Sequence, residues 1–245
     1  MSKIQDDCTV FIRTYAGDAG WLRYCLASLR KHEPDVRCVV VCPQSDHDEI
    51  HPIAAEHGAL YDVLTPLHED GYMDQQWTKL HADNWCKTKY IVHVDSACLF
   101  LQPLDALFED GKPLMLKTPW EDIEQYNGEH VWNRITANAI GFRPGFEYMR
   151  RQPLTYPRLV YSQIRQHLED LHGSLSEWFL NLPHRELSEY NVMGAWCDTF
   201  AKEHFRWINT REEPLPPLVA RQGWSWGGLS KVKAEWDAIL NDDNE

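Results

Sequence analysis

The sequence predicts an α/β protein built on a mostly parallel, doubly wound central sheet flanked by helices, with a helical C-terminal part. Three observations carry this expectation. Apolar, β-branched runs recur at Cys8 to Tyr15 (CTVFIRTY), Arg37 to Cys42 (RCVVVC) and Tyr90 to Val94 (YIVHV), as strands buried on both faces of a parallel sheet require. Segments of helical period alternate with them; Trp21, Leu22, Cys25, Leu26 and Leu29 follow the first strand at the spacing of one helix face. Turn residues punctuate the series, with Gly17-Asp18 opening that helix, Pro43 stopping the second strand and Gly58 ending a helix over Asp46 to His57.

In chain order, Ala59 to Leu64 reads as a third, short strand and Asp74 to Cys86 as a helix leading to the strand at Tyr90. Pro113 to Lys117 reads as a further strand, Glu121 to Arg134 as a helix or mobile segment, and Ile135 to Phe142 (ITANAIGF) as a strand. Proline-punctuated helical pieces are expected through Arg150, then helices over Leu159 to Leu171, Leu175 to Leu180 and Leu187 to His204. Phe205 to Asn209 is a late strand, Glu212 to Pro217 an irregular loop, Gly223 to Gly228 a glycine-flanked aromatic loop, and Lys231 to Leu240 a last helix before a fraying acidic tail. One domain is expected, residues 8–142 forming a ligand-binding half and 143–245 an acceptor-side, helical half.

The composition is that of a globular chain, and a net charge of -13 argues against nonspecific binding to nucleic acid or anionic membrane. Eleven Trp and ten Tyr are a surplus of the kind that lines sugar or base sites, or adds core volume. Seven cysteines, an odd number lying inside apolar runs without a CxxC pair, read as reduced core residues. The N-terminus lacks the basic and apolar regions of a signal peptide, and no apolar run reaches the ~20 residues of a membrane span. A soluble, cytoplasmic protein without a membrane span is the expectation.

The strand at Tyr90 ends on Asp95 and Ser96, where a parallel sheet presents its ligand-facing edge; the alternative is that Asp95 caps the next turn. Arg13 lies within an apolar strand, a costly position unless it is ion-paired or faces an anion. Gln76 and Lys79 stand three apart on one helical face, able to reach a common ligand or simply to face solvent. His93 shares strand parity with Asp95 and reads as a core histidine. Trp224 and Trp226 suit stacking on a sugar or base, or sealing the core beneath the last helix. Phe142 to Arg165 gathers Arg143, Arg150, Arg151, Arg158 and Arg165 with interleaved aromatics such as Tyr156 and a single acid, Glu147. That segment reads as a phosphate-binding or nucleic-acid-binding surface, or as arginines paired with acids elsewhere.

Arg13-Thr14-Tyr15 at a strand end, Gln75-Gln76-x-x-Lys79-Leu80, Val94-Asp95-Ser96 and Leu187-Ser188-Glu189-Tyr190 together resemble nucleotide-sugar-dependent glycosyltransferases of the GT-A fold. More narrowly they are similar to a glycosyltransferase-like family marked by Gln-Gln…Lys-Leu, an Asp-Ser-Asp strand end and a later Ser-Glu-Tyr. The resemblance spans residues 8 to 200. It implies a hexosyltransferase-like enzyme that moves a sugar from a nucleotide-sugar, such as a UDP-sugar, to a hydroxyl acceptor, a saccharide or lipid-linked saccharide. Arg13, Thr14, Tyr15, Gln76, Lys79, Asp95 and Ser96 would bind the donor.

By the same resemblance Asp95 would be the first carboxylate of an Asp-x-Asp motif holding a divalent cation, Mn2+ or Mg2+, against the departing diphosphate. Here the last Asp of the motif is replaced by Ala97. Either Asp95 holds the cation with waters and a residue from elsewhere, or Lys79 or an arginine replaces it. Glu189 is the expected general base on the acceptor, giving inversion by direct displacement, or else a first-turn glutamate favoured by the helix dipole. Arg150, Arg151, Tyr156, Trp224 and Trp226 are the expected acceptor contacts. The arginine segment keeps a phage-type transferase acting on hydroxymethylated bases in DNA as a second reading. The missing second Asp keeps a noncatalytic nucleotide-sugar or carbohydrate-binding module as a third.

Overall fold

A computed structural model describes residues 4–125, 130–224 and 227–242; Trp226 and the end of the acidic tail lie outside them. In chain order the elements are α1 (Ile4–Asp7), β1 (Cys8–Arg13), α2 (Ala19–His32), β2 (Arg37–Pro43), α3 (His47–Glu56), β3 (Leu60–Leu64), α4 (Gly71–Leu80), β4 (Tyr90–His93) and β5 (Cys98–Phe100). Then follow β6 (Phe108–Glu109), β7 (Lys112–Pro119), α5 (Val131–Ile140), β8 (Phe146–Glu147), β9 (Leu154–Pro157), α6 (Leu159–His172) and α7 (Leu175–Leu180). The chain closes with α8 (Glu189–Phe200), β10 (Arg206–Asn209), β11 (Ala220–Gln222) and α9 (Lys233–Asn241).

The main sheet runs β3-β2-β1-β4-β9, parallel throughout except for β9, which is antiparallel to β4. Residue parity divides the core as the pleat demands. Val10, Ile12, Val40 and Val92 face one layer with Leu22, Leu26 and Leu29 of α2 and Ile50 and Ile53 of α3. Phe11, Val39, Val41 and Ile91 face the other, with residues of α4, α6 and α8. The sheet is thus covered on both sides, which is why its strands read as continuous apolar runs. All seven cysteines are free and buried, and burial pushes the thiols of Cys38 and Cys86 up to about 12, so they pack as small apolar groups.

Two expectations are corrected. Ile135 to Phe142 is not a strand: it falls mainly in α5, whose buried Ile135, Thr136, Ala139 and Ile140 form a helical face and whose C-cap is Gly141 at φ 78°. That left-handed conformation suits glycine, and the Gly141 N–H bonds the Ala137 carbonyl at 3.0 Å. The stretch from Arg143 through Arg150 is not helical but holds β8, and after it β9 forms an edge strand in which Pro157 is tolerated. Strands from both halves of the chain share sheets, β9 joining β4, β10 pairing with β7 and β11 with β5.

This order places β2 on one side of β1 and β4 on the other, so consecutive βα units diverge beside β1. The crevice beyond the carboxyl ends of β1 and β4 is therefore the topological switch point of the sheet, where open α/β folds bind ligands. Among the described residues no helix is long and apolar enough to cross a membrane.

Candidate active site

A cavity of about 600 Å³ occupies that crevice. Arg13, Thr14 and Tyr15 line it from the end of β1, Asp95, Ser96 and Ala97 from the end of β4, and Trp224 from beyond β11. A second cavity, beside Arg151 and Pro216, is only about 40 Å³ and too small for a sugar nucleotide. Asp18, Asp46, Glu69, Asp74 and Asp95 line the large cavity, against the single guanidinium of Arg13.

Arg13 satisfies both of its sequence alternatives. It pairs with Asp74 at 2.8 Å in the interior, and it also borders the cavity. Asp74 is itself held by the Leu67 N–H at 2.8 Å. Arg13 Nε and Thr14 Oγ1 are buried without hydrogen-bond partners, donors a polar ligand could meet. Tyr15 is half exposed at the rim, and Trp224 is 57% exposed at the mouth.

Asp95 sits in a tight clasp. Its Oδ1 accepts from Lys79 Nζ at 2.8 Å, Gln152 Nε2 donates to its Oδ2, and its own N–H donates to Gln152 Oε1 at 2.6 Å. Lys79, with a side chain 4% exposed, also donates to Glu189 Oε1 at 2.9 Å and lies 4.5 Å from the Tyr190 ring centroid. Burial works to lower the Lys79 pKa, but the carboxylates of Asp95 and Glu189 outweigh it and hold the amine well above its ordinary range. Gln76 Oε1 accepts the Glu189 N–H at 3.0 Å and so caps α8 from α4.

Several expected contacts are therefore corrected. Gln76, Lys79 and Glu189 do not border the cavity; they form a buried brace that locks Asp95 to the start of α8. Glu189 is placed as an anchor for Lys79 rather than as a base facing an acceptor. Tyr156 is wholly buried in β9, its hydroxyl 3.5 Å from the Tyr190 carbonyl, and meets no acceptor. Arg150 forms a two-pronged pair with buried Glu147, Arg151 donates to the Pro216 carbonyl at 2.9 Å, and Arg165 grips Asp83. Arg143 donates to Asn133 Oδ1 at 3.3 Å, so four of the five arginines of that segment bond within the fold, and Arg158 is exposed. His93 is core, as expected: its Nε2 bonds Tyr161 Oη, and burial, reinforced by the charge of Lys79, pushes its pKa well below the usual value.

Two residues at the site escaped sequence reasoning. Gln152 belongs to no motif and reaches Asp95 only because β9 lies beside β4. Asp18 is at the N-cap of α2, yet it makes no capping bond; its Oδ2 accepts from Ser96 Oγ at 2.8 Å. Burial raises its pKa, and the nearby charge of Asp95 adds to the rise. The Gly17-Asp18 helix start was the signal that could have singled it out.

The donor set can be weighed against the divalent cation expected from the sequence. Ala97 offers no side-chain ligand, and among the described residues no three His, Cys, Asp or Glu groups gather as a cage. An all-protein site does not fit. A cation held by one or two carboxylates and otherwise by ligand phosphates does, because the cavity is acidic and the Asp18 and Asp95 carboxylates both border it.

No protein-family model and no curated protein matches the sequence. Solved structures do match. A crystal structure of the galactosyltransferase LgtC with donor and acceptor sugar analogs aligns at a TM-score of 0.56 and 12% identity, over 95% of this chain and 95% of that one. An active-site mutant of LgtC aligns at 0.54 and 12% identity, over 94% and 99%. At such identity the likeness speaks to architecture, and the chain has the GT-A fold, a mixed α/β structure with a mostly parallel central sheet flanked by helices.

Proposed function

We propose that the protein is a glycosyltransferase that binds a nucleotide-sugar in the crevice between β1 and β4 and passes the sugar to a hydroxyl acceptor. The observation that carries this reading is the position of the 600 Å³ cavity, at the switch point of a GT-A sheet between Arg13-Thr14-Tyr15 and Asp95-Ser96. Its volume suits a ligand of nucleotide-sugar size. The unpaired Thr14 Oγ1 and Arg13 Nε provide polar contacts for the nucleoside, and Tyr15 a ring on which it can stack. Trp224 at the mouth provides an apolar face for an acceptor sugar.

A divalent cation, when bound, would neutralise charge building on the departing diphosphate. The chain's own part is to fix the Asp95 carboxylate in place, which the Lys79-Glu189 brace does. The inverting mechanism rested on Glu189 at the acceptor, and with Glu189 turned to Lys79 it loses that support. The DNA-modifying reading likewise loses support, because three of the five arginines that motivated it, Arg150, Arg151 and Arg165, are bound to Glu147, the Pro216 carbonyl and Asp83.

The test is calorimetric titration of the purified protein with UDP-, GDP- and CMP-sugars, with and without Mn2+, followed by mass spectrometry of saccharide acceptors. Binding of one nucleotide class with sugar released or transferred is expected, and hexosyl donors are the first to try. No binding of any nucleotide-sugar would overturn the proposal. Tight binding without turnover on any acceptor would make the chain a noncatalytic binding protein instead.

A further inference from the structure

We infer that Asp18 supplies the carboxylate missing from the β4 edge, so that a divalent cation is held between Asp18 and Asp95 and shared with the diphosphate of a bound nucleotide. The inference rests on the nucleotide-sugar reading and identifies a ligand that the strand motif does not contain.

Its first support is position. After Asp95 the chain offers Ser96 and then Ala97, whose methyl group can coordinate nothing. Asp18, reaching over from the start of α2, is joined to Ser96 by a 2.8 Å hydrogen bond and borders the same cavity as Asp95. A carboxylate from a different element thus stands beside the residue that lacks one.

The second support is unmet bonding capacity. An aspartate at a helix N-cap ordinarily accepts an N–H of its own helix, but Asp18 forgoes that bond. The residue is only 8% exposed, and its Oδ1 has no hydrogen-bond partner. Burial and then the neighbouring Asp18, by its charge and as a hydrogen-bond acceptor, raise the Tyr15 hydroxyl pKa; the hydroxyl of this half-exposed residue stays outside normal hydrogen-bond geometry to Oδ1. A buried carboxylate oxygen left this way is costly unless a ligand answers it. Independently, Thr14 Oγ1 on the same cavity wall is buried and equally unpartnered, so the wall is built for a polar ligand.

The third support is charge. A diphosphate entering a cavity lined by Asp18, Asp46, Glu69, Asp74 and Asp95 meets like charge, with Arg13 already paired to Asp74. Lys79 does not relieve this from inside the cavity, because its ammonium is buried behind Asp95 and divided between Asp95 and Glu189. It pairs with Asp95 from behind while that carboxylate, 24% exposed, still borders the cavity. Two carboxylates completed by phosphate oxygens are a common way to bind Mg2+, which accounts for the lack of a three-residue cage among the described residues.

The experiment measures Mn2+ affinity of the full chain by electron paramagnetic resonance, with Mn2+ alone and with UDP or GDP present, alongside nucleotide affinity in EDTA. For the unaltered protein, Mn2+ is expected to bind weakly alone and at least about tenfold more tightly with the nucleotide. Asp18→Asn keeps the shape and can still accept from Ser96; it should lose at least about tenfold in Mn2+ affinity, the scale of loss seen on disturbing metal sites. Its nucleotide affinity in EDTA should not fall, which a general structural defect would not allow. Undiminished Mn2+ affinity in folded Asp18→Asn would overturn the assignment, as would nucleotide binding indifferent to Mn2+ in the unaltered protein. If neither nucleotide binds under any condition, the nucleotide-sugar reading fails; Mn2+ binding alone, lost in Asp18→Asn, would still uphold the ion site, and its absence would remove that too. Should Asp18→Asn not fold, Asp18→Glu keeps the charge but displaces it, and unchanged affinity there also counts against the site.

Discussion

Lys79 holds together buried Glu189 and partly exposed Asp95, and its removal would leave both without their shared cation. Lys79→Met should therefore cost about 3–5 kcal/mol, the usual penalty for breaking a buried ion pair from one side. Urea denaturation at pH 7 measures it. Adding Glu189→Leu to that variant should restore part of the loss, because one stranded charge is then gone; equal stability of the single variant and the parent protein would refute the brace. Lys79 has its pKa raised in the folded state, so its stabilisation is complete below about 10.4 and is lost only as pH climbs through the higher folded value. Around neutrality the brace is indifferent to pH.

At the scale of elements, α4 borders the cavity through Tyr72, Asp74 and Gln75 and positions α8 through Gln76 and Lys79. Asp70 caps α4 by accepting the Tyr72 N–H at 2.9 Å, and Gln76 on the same helix caps α8 through the Glu189 N–H. Gln76→Leu keeps the bulk and deletes the acceptor, which should destabilise the fold by about 1–2 kcal/mol, the worth of a lost cap. Because Gln76 does not border the cavity, nucleotide affinity measured by calorimetry should stay within about twofold of the parent, a change of under ~0.5 kcal/mol. A variant of undiminished stability with weakened nucleotide binding would return Gln76 to the donor site. Helical spacing had suggested that Gln76 and Lys79 share a target, and they do; it is Glu189 rather than a ligand.

For the whole molecule, acid sensitivity follows from burying histidine in the core. His93 is wholly buried, and its folded pKa is depressed first by burial and then by Lys79, whereas in the unfolded chain it returns to about 6.5. Its contribution is therefore intact above about pH 6.5 and declines as pH falls toward the folded value, because only the unfolded state takes up the proton. The decline should be about 1.4 kcal/mol per pH unit below that point. His93→Leu combined with Tyr161→Phe removes both partners of the buried hydrogen bond and should flatten the stability difference between pH 7 and pH 5. Identical pH slopes for parent and double variant would show that the acid sensitivity resides elsewhere. The net charge of -13 has a structural counterpart in the acidic cavity, while Arg13, Arg150 and Arg165 are neutralised locally by Asp74, Glu147 and Asp83.

The parallel core was legible in the sequence because both faces of β1, β2 and β4 are covered, and double burial writes itself as unbroken apolar runs. The placement of Arg13, Asp95 and Ser96 at the carboxyl ends of β1 and β4, bordering the cavity, was legible for the same reason: strand ends follow from strand limits. The α5 helix and the stretch through Arg150 were misread and β9 was not foreseen, since short segments between prolines and glycines carry too few periods to separate one secondary structure from another. Only the tertiary structure decided which charges meet. Lys79 lies 110 residues from Glu189 in the chain, Asp95 57 from Gln152, and Ser96 78 from Asp18. No local pattern encodes such pairs, because they are set by the order in which strands enter the sheet and by where each helix starts beyond it. The sequence by itself determined that a carboxylate would stand at the sheet edge; the fold decided that Lys79 and Glu189 would support it from behind and that Asp18, bonded to Ser96, would border the same cavity.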